Sequence, residues 1–189
     1  MEVETLTDDG KTILIGLLDK ALIIEYDFIL NYPRMIDKLV NYDKINDKML
    51  INNLERLGSE SMKHFNYGIA LIEKLGGEPK WQIETIERLE EVEDLLIKQL
   101  EKEKEAISIY RTAILAVRKN KQNTKVKEFF NMLIHANDNL PIQITISELI
   151  ERLNIELAEE NNHVKLVEDS IAILQIYSKK EAIHAKQAF

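Results

Sequence analysis

The feature that most constrains this chain is the spacing of its apolar residues, which recur three and four positions apart over long stretches. Such spacing places the apolar side chains on one face of an α-helix. Only six Gly and three Pro interrupt the 189 residues, so little in the chain stops a helix once it has begun. The sequence therefore predicts an all-α protein, and its four long amphipathic helices predict a bundle.

The first two predicted helices form a hairpin. Asp8 or Asp9 is expected to cap the first helix, and Pro33 either kinks it or ends it before a restart toward residue 41. The segment 41–47 makes a short turn, and the second helix runs to Leu75, where GGEP stops it. The inward positions of the two helices are Leu14, Leu18, Leu22, Ile29 and Tyr32, and Leu50, Leu54, Leu57, Ser61, His64, Gly68, Leu71 and Leu75.

The second half of the chain predicts another pair of long helices. Residues 76 to about 89 form a connector, the third helix continues to about residue 119, and 118–125 (RKNKQNTK) reads as a polar break. The segment around residues 122–142, between the third and fourth long helices, is expected to hold an additional short helix that Pro141 ends. Thr145 and Glu148 have the spacing of a capping box that starts the last helix. The inward positions are Leu96, Leu100, Glu103, Ile107, Tyr110 and Ile114 in the third helix, and Leu157, Val164, Val167, Ile171 and Leu174 in the fourth.

Charge and composition exclude several classes of function. A formal charge of -8 argues against a nucleic-acid partner, because phosphate binding needs clustered Lys and Arg. The absence of Cys leaves His and carboxylates as the available metal ligands. The N-terminal MEVETLTDDG is acidic where a signal peptide is basic, and no apolar run nears the roughly 20 residues that span a bilayer. We therefore expect a single cytoplasmic domain over residues 1–189, with no membrane partner.

Polar side chains interrupt the apolar face of every helix. They are Glu25, His64 with Ser61 one turn before it, Glu103, and Glu160 with His163. An unpaired ionised carboxylate in an apolar interior costs several kcal/mol, or shifts its pKa until it is neutral. A single one of these Glu residues is as well explained by a position at the rim of the bundle, but three of them need a common explanation.

The depth of these residues along their helices supplies that explanation. Glu25 lies about 16 residues before the end of the first helix, and Ser61 about 16 after the start of the second. Glu103 lies about 16 residues before the end of the third helix, and Glu160 about 15 after the capping box. If each hairpin packs antiparallel, the polar residues meet at one level. A shared layer of carboxylates and imidazoles is what a buried metal site requires, and a hydrogen-bonded polar layer is the alternative.

In this order and spacing the chain resembles the ferritin-like di-iron carboxylate proteins, above all the bacterioferritin and rubrerythrin types. In that superfamily two helices each give one Glu and two each give Glu-x-x-His. The segments that carry the resemblance are LDKALIIEYDFILNY (18–32), SMKHFNYGIALIEKLGGEP (61–79), LEKEKEAISIYRTAI (100–114) and EENNHVKLVEDSIAIL (159–174). The resemblance implies metal-ligand roles for Glu25, His64, Glu103, Glu160 and His163, and a place beside the metal pair for Tyr32, with packing as its alternative role.

Two features depart from the family pattern. Ser61 stands where the second helix should supply the Glu of its Glu-x-x-His, and Glu60 next to it points toward the flank of the apolar face. One bridging carboxylate is therefore missing, and binding of one ion or of two stays open. The insertion is the second departure; its stripe of Phe129, Phe130 and Leu133 reads either as the core of a docked helix or as a contact in a homo-oligomer.

The function expected from the resemblance is binding of iron, with manganese as the alternative metal. Two ferrous ions at such a site imply oxidation of Fe(II), or another redox step that depends on oxygen or peroxide. The alternative belongs to another class: a ferritin-like bundle that has lost its metal with the change at Ser61 and acts as a structural or interaction protein.

Overall fold

The computed structural model describes residues 2–81, 91–125 and 144–187. Within these ranges lie two short strands, four long helices and one π-helical turn. In chain order they are β1 (Glu2–Leu6), α1 (Asp8–Asp37), the π-helical turn (Lys38–Tyr42), α2 (Lys48–Lys74), α3 (Val92–Lys119), β2 (Lys121–Lys125) and α4 (Ile146–Gln187). The predicted all-α class is confirmed. The additional short helix, with Phe129, Phe130 and Leu133, falls outside the described residues.

Helix α1 differs from expectation at its start, and at Pro33 it excludes one of the two alternatives. Its N-cap is Thr7, whose hydroxyl accepts a hydrogen bond from the backbone N–H of Gly10 at 3.1 Å. Asp8 and Asp9 are instead the first helical residues, where carboxylates interact favourably with the helix dipole. Pro33 lies inside the helix, which continues to Asp37 and then widens into the π-helical turn, so the predicted restart does not occur.

Helix α2 begins and ends with ordinary capping groups. Asp47 caps its start by accepting hydrogen bonds from the N–H groups of Met49 and Leu50, at 2.9 and 3.1 Å. At its end Gly76 adopts a φ of 83°, which a residue with a side chain rarely adopts. After this turn the chain lies against α1, where the N–H of Lys80 donates a hydrogen bond to Asp19 Oδ1 at 2.9 Å.

Helix α3 ends at Lys119, as predicted, but the polar segment that follows holds a strand that the sequence did not predict. Strand β2 pairs with β1 in an antiparallel two-stranded sheet in which Leu6 lies opposite Lys121. The strands meet because the start of α1 lies beside the end of α3. A Cβ atom at Gly10 would lie 2.7 Å from the Cβ of Asn120, so the absence of a side chain at Gly10 permits this approach.

Helix α4 starts at the predicted capping box. The N–H of Glu148 donates to Thr145 Oγ1 at 3.2 Å, and the N–H of Thr145 donates to Glu148 Oε2 at 2.9 Å. The predicted inward stripe is only partly correct, because three of its members, Leu157, Val164 and Ile171, are half-buried. The buried face is Leu149, Leu153, Glu156, Glu160, His163, Val167, Ser170 and Leu174.

The helices pack as a bundle in which each helix is antiparallel to both of its neighbours. Helix α1 packs against α2 and α3, and α4 packs against α3 and α2. The direction is visible in long-range pairs: Asp27 of α1 meets Lys102 of α3 at 2.9 Å, and Tyr177 near the end of α4 donates to Asp47 at the start of α2 at 3.1 Å. No helix in the described part of the chain has the length and apolar character needed to cross a bilayer.

Candidate metal centre

The polar residues of the four helices form one buried layer in the middle of the bundle. Helix α1 contributes one carboxylate, α2 an imidazole, α3 a carboxylate, and α4 a carboxylate and an imidazole. These side chains belong to Glu25, His64, Glu103, Glu160 and His163, and each is between 0 and 2% exposed. The structure thus brings together all five residues for which the resemblance implies metal-ligand roles.

One half of the layer is built around His64. Its Nδ1 lies 3.1 Å from Glu160 Oε1 and 3.3 Å from Glu25 Oε1. Helices α1, α2 and α4 therefore each supply one donor atom to the same small volume.

The other half is built around His163. Its Nδ1 lies 3.5 Å from Glu103 Oε2 and 3.6 Å from Glu160 Oε2. The rings of His64 and His163 are stacked, with centroids 5.1 Å apart and planes at 23°. Glu160 therefore lies between the two halves and contributes one oxygen to each.

The far nitrogens of both imidazoles are held by carboxylates outside the layer. Nε2 of His64 lies 2.6 Å from Glu159 Oε2, and Nε2 of His163 lies 3.0 Å from Glu60 Oε2. Glu60 is also paired with Arg56 at 3.0 Å. A carboxylate on Nε2 orients the ring and makes Nδ1 a better ligand, as at many protein metal sites.

Most of the inward-facing atoms of the layer have no hydrogen-bond partner within the described residues. They are both oxygens of Glu25 and Glu160, Oε2 of Glu103, Oγ of Ser61, and Nδ1 of His64 and His163. Buried polar atoms are rarely left unpaired. One ligand atom each from His64, Glu160 and His163 lies within 4.8 Å of the others, close enough to hold a single ion. Imidazole and carboxylate donors suit iron, manganese and zinc.

The pKa values show how protons are held in the layer of the metal-free protein. Burial raises the pKa of Glu25 well above its ordinary value and that of Glu103 to about 8. Burial alone would lower the pKa of each imidazole, but the neighbouring carboxylates raise it to about 12 for His64 and about 10 for His163. Burial likewise opposes ionisation of Glu160, yet the two imidazoles whose Nδ1 atoms lie 3.1 and 3.6 Å from its oxygens hold its pKa below the ordinary value. At neutral pH the Glu160 carboxylate therefore lies between two imidazolium groups and stabilises both.

Tyr32 and Ser61 complete the layer. The hydroxyl of Tyr32 donates a hydrogen bond to Glu103 Oε1 at 3.1 Å, and burial followed by the charge of Glu103 raises the pKa of Tyr32 well above its ordinary value. Ser61 is fully buried, one turn before His64 on the same face of α2. No carboxylate extends from position 61.

The sequence analysis missed Glu156, which lies one turn before Glu160 on the buried face of α4. Its Oε2 is 3.6 Å from His64 Nε2, and burial raises the pKa of Glu156 to about 7. A signal for this position was present in the sequence, because Glu156, Glu160 and His163 are four and then three residues apart and so share one face of a helix. A search for apolar residues alone does not detect it. It also missed Glu159. It placed Glu60 at the flank of α2, where the structure has it, but did not predict that Glu60 reaches His163 from there.

Comparison with known proteins supports the fold. No family model matches the chain, and no curated protein matches it. A solved structure described as ferritin like, diiron-carboxylate proteins from Bacillus anthracis str. Ames superposes with a TM-score of 0.62 at 21% identity, covering 86% of this chain and 97% of that one. The chain therefore has the ferritin-like fold, and the resemblance found in the sequence is confirmed at that level.

Proposed function

We propose that this protein binds two divalent iron ions in the central layer and oxidises Fe(II) with oxygen or peroxide. The observation that carries the proposal is the convergence of two imidazole Nδ1 atoms and the unpartnered oxygens of three carboxylates from four helices. A metal ion is the simplest partner for all of these atoms together. Manganese is the alternative metal, because the donor set suits both.

The contacts divide the residues into two groups. Glu25 and His64 would hold one ion, Glu103 and His163 the other, and Glu160 both, which agrees with the distances from each Nδ1. A ferrous pair gives up two electrons, enough with two protons to reduce oxygen to hydrogen peroxide, or hydrogen peroxide to two water molecules.

The residues around the ligands position them. Glu60 and Glu159 hold Nε2 of the two imidazoles, so that Nδ1 of each ring faces the layer. Tyr32 orients Glu103 through its hydrogen bond, and its phenol is close enough to be a redox partner. Metal binding must displace the protons on His64 and His163, so the affinity for metal should increase with pH.

The alternative function, a structural or interaction protein without metal, rests on Ser61. It requires hydrogen bonds within the protein to satisfy the layer, as in a buried polar network. Neither oxygen of Glu25 has a hydrogen-bond partner among the described residues, and the one close cation is His64, whose Nδ1 lies 3.3 Å from Oε1; a buried carboxylate so weakly satisfied favours the metal-binding function.

Metal titration and oxidation kinetics test the proposal. Protein purified without added metal is titrated with Fe(II) under anaerobic conditions and then mixed with oxygen in a stopped-flow instrument. The test variant is Glu103→Gln, and its control is Glu105→Gln, which makes the same change at an exposed position of the same helix. We expect the parent and Glu105→Gln to bind and oxidise Fe(II), and Glu103→Gln to do so weakly. No Fe(II) binding by the parent at near-stoichiometric concentrations would reject the proposal.

A further inference from the structure

Three aromatic side chains form a continuous row on the α1–α2 hairpin. Measured between ring centroids, Tyr26 lies 5.6 Å from Phe65, and Phe65 lies 5.3 Å from Trp81. Both distances are those of aromatic pairs in direct contact, about 4.5–7 Å. Phe65 is 9% exposed and Trp81 is 40% exposed, so the row runs from the interior of the bundle to solvent. We name these three residues the aromatic row.

The inner end of the aromatic row is joined to the central layer through the backbone. Tyr26 follows Glu25 in α1, and Phe65 follows His64 in α2. One peptide unit therefore separates each of these rings from a side chain of the layer. Electron tunnelling becomes slower with distance and is faster through bonds and packed atoms than across gaps, and the aromatic row supplies both bonds and packing.

The outer end of the row is fixed in place. Trp81 meets Phe65 edge-on, with the ring planes at 78°, and the N–H of the preceding Lys80 donates a hydrogen bond to Asp19 Oδ1 at 2.9 Å. Trp81 is also the only Trp in the chain. An indole that is both exposed and held against a buried ring is a suitable point for exchange of electrons with a molecule in solution.

The other aromatic pair beside the central layer has no such exit. The rings of Tyr32 and Phe28 lie 5.7 Å apart, and both side chains are fully buried. Among the ring contacts of the described residues, only those of the aromatic row reach solvent.

We propose that the aromatic row carries single electrons from the surface to the central layer, and that small one-electron donors such as ascorbate and phenols are oxidised at Trp81. Indole and phenol side chains lose one electron readily, so Trp81 and Tyr26 are the redox-active members. Phe65 has no such group and serves as a spacer of one ring between them. The electron path rests on the contacts alone, whereas oxidation of the donors rests on the proposed function.

The electron balance of the proposed function gives the aromatic row its role. After oxygen has been reduced to hydrogen peroxide, reduction of the peroxide to two water molecules takes two more electrons and two protons. Tyr26 supplies one electron and releases its phenolic proton, and Trp81 supplies one electron and releases its indole N–H proton. One neutral radical is left on each residue. Two donor molecules, each giving one electron and one proton at Trp81, restore both side chains.

The first experiment tests the electron path in metal-free protein by laser flash photolysis. A ruthenium tris(bipyridine) photosensitiser with an electron acceptor removes one electron from the exposed indole of Trp81. We expect the indolyl radical of the parent to decay as a phenoxyl radical forms on Tyr26, because at neutral pH a phenol that releases its proton is the more easily oxidised of the two. Tyr26→Phe should lose this decay. Its control, Tyr42→Phe, makes the same change at a side chain that is 72% exposed and should retain it.

The second experiment tests oxidation of a donor at Trp81. Protein loaded with Fe(II) and freed of unbound iron is mixed with hydrogen peroxide and ascorbate, and the loss of ascorbate absorption is followed. We expect Trp81→Phe, which keeps a ring against Phe65 and removes the indole, to lose this ascorbate oxidation. Its Fe(II) binding and its oxidation of Fe(II) by oxygen should equal those of the parent. Without ascorbate, the parent should lose its Trp fluorescence and gain oxygen at Trp81 by peptide mass spectrometry.

The outcomes separate the aromatic row from the proposed function. Equal decay of the indolyl radical in the parent and in Tyr26→Phe would reject the electron path, whether or not the protein binds iron. Ascorbate oxidation by Trp81→Phe at the parent rate, or unmodified Trp81 in the parent after reaction without ascorbate, would reject Trp81 as the donor site. A parent that does not oxidise Fe(II) overturns the proposed function and the donor oxidation, and the flash experiment then decides the electron path alone.

Discussion

Two five-residue segments on opposite sides of the central layer, Glu60–His64 (ESMKH) and Glu159–His163 (EENNH), are built alike. Each segment begins with a Glu whose carboxylate contacts Nε2 of the His at the end of the other segment. The distance is 3.0 Å from Glu60 to His163 and 2.6 Å from Glu159 to His64. This reciprocity is possible because α2 and α4 run antiparallel. The segments differ at the second position, which is Ser61 in α2 and Glu160 in α4.

This comparison distinguishes the carboxylates that orient the two imidazoles from the side chains that face the central layer. The carboxylates that hold the imidazoles are present on both helices, so the rings are positioned on both sides of the layer. The inward groups are unequal, because Glu160 contacts Nδ1 of both imidazoles and Ser61 leaves its buried hydroxyl unpartnered within the described residues. The centre therefore depends on α4 more than on α2.

The largest effect should come from removing the shared carboxylate. We expect Glu160→Gln to weaken binding in the central layer by more than about 100-fold, since loss of a group that merely supports a ligand costs roughly 10–100-fold. The matched change in α2, Ser61→Ala, should leave metal binding unchanged. Equilibrium Fe(II) titration of both variants measures the contrast. Equal losses for the two changes would contradict the dependence on α4.

The two supporting carboxylates should have smaller, reciprocal effects. We expect Glu60→Gln to weaken the ion held by His163, and Glu159→Gln the ion held by His64, each by roughly 10–100-fold. Titration of protein with ¹⁵N-labelled imidazoles identifies which His is affected. An effect of Glu60→Gln confined to His64 would show that the reciprocal contacts are not functional.

Restoring the missing carboxylate should make the two segments equal. Ser61→Glu recreates Glu-x-x-His with His64, and Glu is a better helix former than Ser. Four carboxylates then neutralise two ferrous ions in a low-dielectric interior. We expect two ions to bind with affinities within about tenfold of each other, roughly 1.4 kcal/mol, and Fe(II) to be oxidised faster. Unchanged binding or slower oxidation would indicate that Ser61 leaves space for a small exogenous ligand.

The smallest effects should come from the caps at the starts of the two helices. We expect Asp47→Ala in α2 and Thr145→Ala in α4 each to lower the free energy of unfolding by about 1 kcal/mol at pH 7.

Hydrogen bonds from the backbone and side chain of Thr145 lower the pKa of Glu148. Stabilisation by ionised Glu148 is therefore complete above its unfolded pKa and is lost as the pH falls through its lower folded pKa.

Urea denaturation at pH 7 and near pH 3 measures the contribution of each cap. The cost of Thr145→Ala should decrease at the lower pH, because protonated Glu148 accepts hydrogen bonds poorly. A cost that stays constant between the two pH values would show that Glu148 does not contribute as a carboxylate.

Sequence patterns predicted more of the helices than of their contacts. The spacing of inward residues located the members of the central layer on all four helices, since 3.6 residues per turn is a local property. The same method misplaced the inward stripe of α4, because Glu156 is polar and buried while Leu157 is apolar and at the flank. It also failed at β2, whose polar residues pair with β1 only because the ends of α1 and α3 adjoin.

By itself, the sequence determined the helical class, the level of the polar layer, the absence of thiol ligands and the presence of Ser61 one turn before His64. These follow from residue identity and from the rise and period of a helix. Only the tertiary structure decided that Glu60 holds His163, that Glu159 and Glu156 meet the outer side of His64, and that Glu160 serves both imidazoles. Contacts of about 3 Å depend on the rotation and relative height of neighbouring helices, which residues distant in the chain set together.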